Sequence, residues 1–378
     1  MKQLLGSVVF ACFLCFGSTG WQAVAAEPAP APSVPLQALQ DFVTVYERVR
    51  MEHVAPHTDE ELLKLALQGL MLKLDPYSVF LDANATRALA EATTGSYVGI
   101  GLEIEPAGHH ILVITPIDGS PAQKAGIQPG DWVTHINKRS VKGLDHTAIS
   151  GLISGPKGST VTLKLLRQGQ ELELTMQRAQ INMSSVRGEL MANNIGYLRI
   201  SQFQDRTGEE LVAQMRSLHQ NGAKAWLIDL RNNPGGLIDS GVAVADAFLR
   251  KGTIVSTRAR HEYGNMVYQA DAKDPSKKLP TLVLINRGSA SAAEIVAAAL
   301  QENRRAKLAG QTSFGKGSVQ SVISLDEERS IKLTTAYYYT PRGHNLNNNG
   351  IVPDHKLSAT KVGEEALQEA IALLQNQL

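Results

Sequence analysis

"LINRGSASAAEIVAAALQENRR", residues Leu284 to Arg305, decides how this chain is read. It opens as an apolar run, turns at Arg287-Gly288 and continues with the spacing of a helix. A buried strand that feeds straight into a helix is the repeating unit of an α/β layer. Two serines, Ser289 and Ser291, stand at the junction. Ser291 followed by Glu294 has the S-x-x-E spacing of a capping box, so on local pattern alone a structural cap is the better reading. The surroundings favour a second one. Gly288, Ala290 and Ala292 leave a hydroxyl uncluttered, and helix N-terminal amides hold a developing oxyanion. These residues by themselves leave both readings, and both serines, open. The pattern is not G-x-S-x-G, so the nucleophile elbow of α/β-hydrolases does not apply.

Working outward, strands and helices alternate from Gly188 to about Leu357. "NIGYLRI", "AKAWLIDL", "TLVLIN" and "AKLAG" are strands. "RTGEELVAQMRSLHQNG" and "DSGVAVADAFLRKG" are helices. That alternation predicts α/β layers around a largely parallel sheet. Upstream, from Tyr97 to Arg178, the period changes to short alternating or apolar runs: "YVGIGLEI", "HILVITPI", "DWVTHINKRSV", "STVTLKLLRQG" and "QELELTMQRA". "SPAQKAGIQPGD" between them reads as a short helix and turn. Further back lie amphipathic segments at about Leu36–His53 and Thr58–Leu74, with Thr58 and Glu61 forming a capping box, and a short helix at about Ala83–Ala92. The expected fold is therefore α/β and multidomain: a helical N-terminal region (36–96), a small β module (97–178), an α/β core with a mostly parallel sheet (179–358) and a C-terminal helix (359–378).

The first residues are read as a leader. Lys2 precedes an apolar run from Leu4 to Phe16, and Ala23 to Ala26 fits a small-residue cleavage site, so 1–26 has the form of a secretory signal peptide. The run is shorter than the ~20 residues a membrane span needs. "EPAPAPSVP", 27–35, is an extended Pro/Ala linker. Cys12 and Cys15 are the only cysteines, so the mature chain has no thiol nucleophile and no disulfide. A net charge of +1 on 378 residues gives no sign of a nucleic-acid partner.

A nucleophilic serine needs a base. None of the ten histidines is an evident partner, and HExxH is absent. "TSFGKGSVQSVISL" offers Lys316, between Gly315 and Gly317, with Gln320 on the same side if the segment is extended; a surface-loop lysine is the commoner case. "LIDLRNNPGGL" ends a buried strand in a Pro-Gly-Gly turn at the sheet edge where α/β proteins place ligands. "SYVGIGLEI" puts Gly99 and Gly101 at a strand start, where backbone N–H groups can meet a carboxylate, though a bulge explains them equally well.

Taken together, these segments resemble the serine–lysine C-terminal processing peptidases, or tail-specific proteases, over about Leu36 to Leu357. "LDPYSVFL", a PDZ-like module, "IDLRNNPGGL", "NRGSASAAE" and "TSFGKGSVQ" follow in the family's order. The resemblance implies Ser291 as nucleophile, Lys316 as base, Gln320 as the residue that orients the lysine, and the amides of Gly236 and Ala292 as oxyanion donors. It implies that Gly99, Ile100, Gly101 and Leu102 bind the carboxylate of a substrate's C-terminal tail. No metal or other cofactor is required. A lysine base working near pH 7–8 needs about 3 units of pKa depression, on the order of 4 kcal/mol of desolvation. A periplasmic or envelope location, a homo-oligomer joined through terminal helices, and an adaptor or activator protein are also implied. Two departures stand out: Ser154 in "LISGPKGST" replaces an arginine that in some relatives couples PDZ occupancy to activation, and Tyr77 replaces a common histidine, a minor change. The rival readings are a catalytically silent PDZ scaffold and an exported esterase.

Overall fold

The computed structural model describes residues 35–107, 109–144, 146–357 and 363–376. The leader at 1–26 and nearly all of the linker at 27–35 lie outside them. The described residues form two compact units that part between Ala66 and Leu67.

The first helices are α1 (Leu36–Glu52) and α2 (Asp59–Leu74). The capping box read at the start of α2 is present: Glu61 N–H donates to Thr58 Oγ1 (3.2 Å) and Thr58 N–H to Glu61 Oε2 (3.0 Å). The second unit continues with β1 (Val79–Leu81), α3 (Ala83–Thr94) and β2 (Ser96–Gly99). Asp82 caps α3 through a bond from Ala85 N–H, and Gly95 ends it in the left-handed conformation that glycine adopts without strain.

The β module holds β3 (Leu102–Ala107), β4 (His110–Pro116), α4 (Pro121–Lys124), β5 (Trp132–Ile136), β6 (Arg139–Ser140), α5 (His146–Ile153), β7 (Thr160–Arg167) and β8 (Gln170–Gln177). The sheet runs β3-β4-β5-β7-β8 with β6 paired to β5, so β3 is an edge strand. Alternation along β7 sends Val161, Leu163 and Leu165 into a core with Ile100, Ile111, Val133 and Ile149. Asp131, almost fully buried, is held by both arms of Arg167 at 2.7 Å, which keeps its carboxyl below the usual range despite the burial that opposes this.

After β9 (Ala179–Asn182) come β10 (Val186–Met191), β11 (Ile195–Ile200), α6 (Thr207–Gln220), β12 (Ala225–Asp229), α7 (Ile238–Asp246), β13 (Thr253–Ala259), β14 (Val267–Gln269), β15 (Thr281–Ile285), α8 (Ala292–Glu302), β16 (Lys307–Gly310), β17 (Ser318–Ser324), β18 (Ser330–Tyr339), β19 (His355–Lys356) and α9 (Glu364–Gln375). The main sheet has the order β10-β11-β12-β15-β16-β19, parallel throughout except for β10 against β11. Its central strands β12 and β15 are buried on both faces, and the two-residue period divides their side chains between two cores. Trp226, Ile228, Val283 and Ile285 meet α6, α7 and α8, whereas Leu227, Leu282 and Leu284 meet Leu367, Ala370 and Leu374 of α9. Helix α8 is buried on every side from Ala292 to Leu300, as a central helix with no polar face must be. Beyond it lies a second, antiparallel sheet, β1-β18-β13-β14 with β17 on β18, that the alternation of strands and helices did not foreshadow.

Arg178, at the exit of the β module, is 7% exposed and makes four local hydrogen bonds. It donates to the carbonyls of Leu152 (3.0 Å), Ile153 (2.6 Å) and Thr160 (2.7 Å), and to Ser159 Oγ (3.0 Å). Arg178→Ala leaves three carbonyls short of partners and is expected to lower stability by about 2–3 kcal/mol in urea unfolding. A change under about 0.5 kcal/mol would show that the latch carries no weight.

Candidate active site

The site is built where two parallel strands end. At the C-terminal end of β12, Asn233 Oδ1 accepts from Gly235 N–H (2.8 Å), Asn233 Nδ2 donates to Ile200 O (2.9 Å), and Asn233 O accepts from Ala290 N–H (2.9 Å). One fully buried asparagine thus ties the Pro-Gly-Gly turn to the loop carrying Ser291. The approach is closer than any other residue type allows. A Cβ on Gly235 would lie 2.6 Å from Ser291 Cβ, and one on Gly236 would lie 2.0 Å from Phe203 O. Both glycines also sit at positive φ, 96° and 144°.

The two serines at the end of β15 have separate fates. Ser289 is fully buried; its hydroxyl donates to Leu230 O (2.8 Å) and accepts from Asn286 N–H (3.0 Å). That hydroxyl is spent on the turn. Ser291 is the N-cap of α8 and is held at φ 54°, ψ −117°, a strained conformation for a residue with a Cβ. The Glu294 half of the capping box is in place, with Ser291 N–H donating to Glu294 Oε2 at 2.9 Å. Glu294 N–H donates to the Ser291 main-chain oxygen (2.8 Å), and the serine side chain keeps the capping-box position over that N–H without a full hydrogen bond to it. The amides of Gly236 and Ala292 have no acceptor among the described residues. Ala292 is the first helical residue, where an unpaired N–H is expected.

Glu294 does more than cap. Its buried carboxylate also accepts from Ser313 Oγ (2.5 Å), Gly315 N–H (2.7 Å) and Lys316 N–H (2.9 Å). The nucleophile candidate and the base candidate therefore hang on the same two oxygens. The capping spacing marked Glu294, but nothing local in the sequence disclosed its second set of partners.

Lys316 is half-buried, and burial pushes its ammonium below the ordinary lysine range; the Lys332 charge adds to this and Glu294 works against it. Its Nζ lies 4.8 Å over the ring of Tyr77. The Tyr77 turn is fixed by Asp75, which accepts from Tyr77 N–H and Ser78 N–H, and by Ser78 Oγ, which accepts from Thr334 N–H of β18. Tyr77, read as a minor replacement, is thus in direct contact with the candidate base. Gln320 lies on β17 opposite Thr334, after a bulge between Val319 and Gln320. Its Nε2 donates to Ser318 Oγ (2.9 Å) and Thr334 Oγ1 (3.3 Å) rather than to Lys316.

In the β module, Gly99 ends β2, Leu102 opens β3, and Ile100 and Gly101 make the break between them. The carbonyls of Ile100 and Gly101 are turned inward, accepting from Ala122 N–H (2.9 Å) and Ile117 N–H (3.0 Å). Their amides have no acceptor among the described residues. Gly101 at φ 74° has no room for a side chain, since a Cβ would lie 2.4 Å from Ser120 Cβ.

No group of three or more His, Cys, Asp or Glu residues is placed to hold a metal ion among the described residues. No helix among them is long and apolar enough to cross a membrane.

Comparison with known proteins gives the family. The model of peptidase family S41 matches residues 194–357, and a PDZ-domain model matches 112–167, which leaves out the Gly99–Leu102 loop and β3. The Carboxy-terminal-processing protease of Bartonella bacilliformis is 40% identical over 322 residues, 84% of this chain and 74% of its own length. The Carboxy-terminal processing protease CtpA of Bacillus subtilis is 37% identical over 313 residues, 82% of this chain and 67% of its own. Among solved structures, a photosystem II D1 C-terminal processing protease aligns with a TM-score of 0.50 and 30% identity, covering 88% of this chain and 90% of that one. With an α/β core that ends in this serine-bearing turn and a PDZ domain before it, the chain belongs to peptidase family S41, among its carboxy-terminal processing serine proteases.

Proposed function

We propose that the protein is an exported endopeptidase that cuts protein substrates near unstructured C-termini by a Ser–Lys acyl-enzyme mechanism. The observation that carries this reading is the buried Glu294 carboxylate, which gathers the backbones of Ser291 and Lys316 at one place. Neutral Lys316 takes the proton from Ser291 Oγ as the oxygen attacks the scissile carbonyl. The free amides of Gly236 and Ala292 hold the oxyanion. Lys316 then protonates the leaving amine and activates the water that releases the acyl group. For this, the Lys316 side chain leaves the face of Tyr77 and turns toward Ser291, with Gln320 orienting it. The leader at 1–26 supplies export, and a homo-oligomer and a partner protein are part of the reading.

Substrate tails add to the open edge of β3, which pairs with β4 on one side only. The Gly99–Leu102 amides take the terminal carboxylate, and Leu102, Ile104 and Leu152, only partly buried, offer an apolar surface for the last side chain. Because Ser154 stands where some relatives carry a coupling arginine, the PDZ domain is read here as a tether for the tail.

Ser291→Ala and Lys316→Ala are each expected to abolish cleavage with the fold intact, whereas Ser289→Ala retains activity. Lys316→Arg is expected to be inactive, because a guanidinium does not give up its proton. The reverse result for the two serines, or turnover by Lys316→Arg, would overturn the assignment. Cleavage is expected to rise with pH along one ionisation, below the ordinary lysine value of about 10.4, since burial favours the neutral amine that acts as base. A flat profile through that range contradicts a lysine base.

Amidating a substrate's C-terminus removes the charge from the carboxylate. Charge-assisted bonds are roughly twice as strong as neutral ones, so affinity for the tail should fall by at least about 1 kcal/mol, roughly fivefold. Equal binding of free-acid and amidated tails, read by fluorescence anisotropy, would remove the carboxylate-reading loop from the account.

A further inference from the structure

Strand β18 carries three tyrosines in succession, Tyr337, Tyr338 and Tyr339. The strand period turns the middle one inward. Tyr338 is 1% exposed, while Tyr337 faces solvent and Tyr339 stacks under the Arg258 guanidinium at 4.3 Å. Tyr338 N–H donates to Gly317 O (3.0 Å), which fixes it beside the residue after Lys316. Its ring belongs to the apolar cluster that includes Ala292, Ala293 and Ile295 at the start of α8.

Its hydroxyl is unusual. Tyr338 Oη is the only buried side-chain nitrogen or oxygen among the described residues without a hydrogen-bond partner. Its polar neighbours are Glu294, Ser291 and Tyr77. A buried, orphaned hydroxyl is a cost that phenylalanine would avoid in the same space. Burial and the Glu294 charge push the phenol well above its ordinary value, so it keeps its proton and serves as a donor. The Ser291 side chain is thus a polar neighbour of the buried phenol, which makes no full hydrogen bond of its own.

Resting on the reading of Ser291 as nucleophile, we propose that Tyr338 is a further residue of the active site, its Oη–H donating to Ser291 Oγ in the working enzyme. A donor on that oxygen leaves the serine proton free to point at Lys316. It also meets the negative charge that grows on Oγ as the proton departs. The proton passes from Oγ to Lys316 Nζ, the Oγ electron pair forms the bond to the carbonyl carbon, and the phenol retains its own proton throughout. When the amine leaves, Nζ returns its proton to that nitrogen, and Oη remains on Oγ of the ester.

Tyr338→Phe keeps the shape and removes only the hydroxyl. The expected result is a fall in kcat of roughly 10- to 100-fold, KM within about twofold, and a Tm equal to or above that of the unaltered protein. Tyr339→Phe, on the same strand but under Arg258, should keep full activity. Unchanged kcat in Tyr338→Phe would overturn the inference, and so would a loss of activity accompanied by a fall of several degrees in Tm, which marks a structural role. Assaying Ser291→Ala alongside separates the two readings: if it still cuts, the nucleophile assignment itself has failed, whereas an inert Ser291→Ala beside a fully active Tyr338→Phe removes only the tyrosine.

Discussion

The buried carboxylate of Glu294 is the constraint on which the rest of the site depends. Burying such a group costs several kcal/mol unless its oxygens are matched by donors. Here four donors converge on it, three backbone amides and one hydroxyl, and it sits in the first turn of α8, where the helix end favours negative charge. Those donors come from two places far apart in sequence: Ser291 at the start of the helix, and Ser313, Gly315 and Lys316 in the loop before β17. Satisfying one buried charge fixes both loops in a single arrangement. The Gly317 carbonyl extends it to β18 through Tyr338, and Ser78 attaches the Tyr77 turn to the same strand.

A second constraint is steric. Gly235 and Gly236 let the chain after β12 press against Ser291 and Phe203 more closely than a Cβ permits. That approach sets Gly235 against Ser291 and the Ala292 amide, while the Gly236 and Ala292 amides keep no acceptor among the described residues. Unsatisfied donors and a strained φ/ψ are costs that a purely structural turn would avoid. Their coincidence at one point, at the C-terminal edge of a parallel sheet, separates Ser291 from its neighbour Ser289, whose hydroxyl is committed to Leu230 and Asn286.

Much of this was legible in the sequence, for local reasons. The central strands of the main sheet read as apolar runs because they are buried on both faces. The Thr58–Glu61 and Ser291–Glu294 spacings announced helix starts, and in the second case the glutamate makes the firm bond. What escaped reading was non-local. The antiparallel sheet depends on β18 pairing with β1 and β13, partners distant in the chain, and "TTAYYYT" carries no turn signal to reveal it. Gln320 keeps the strand period and shares a face of β17 with Ser318, but its hydrogen bond to Thr334 depends on the register against β18, which slips by one residue beside it. The weight of Tyr77 and Tyr338 follows from where the fold puts them, over Lys316 and beside Gly317, and no spacing rule reaches across such separations.

The central claim is that Ser291 is a nucleophile activated by Lys316. Its most direct test is the site and rate of covalent labelling by a fluorophosphonate, located by peptide mass spectrometry. The account predicts a single adduct on Ser291, with labelling sharply slowed in Lys316→Ala. An adduct on Ser289 or elsewhere, or equal labelling of Ser291 without the lysine, would contradict it.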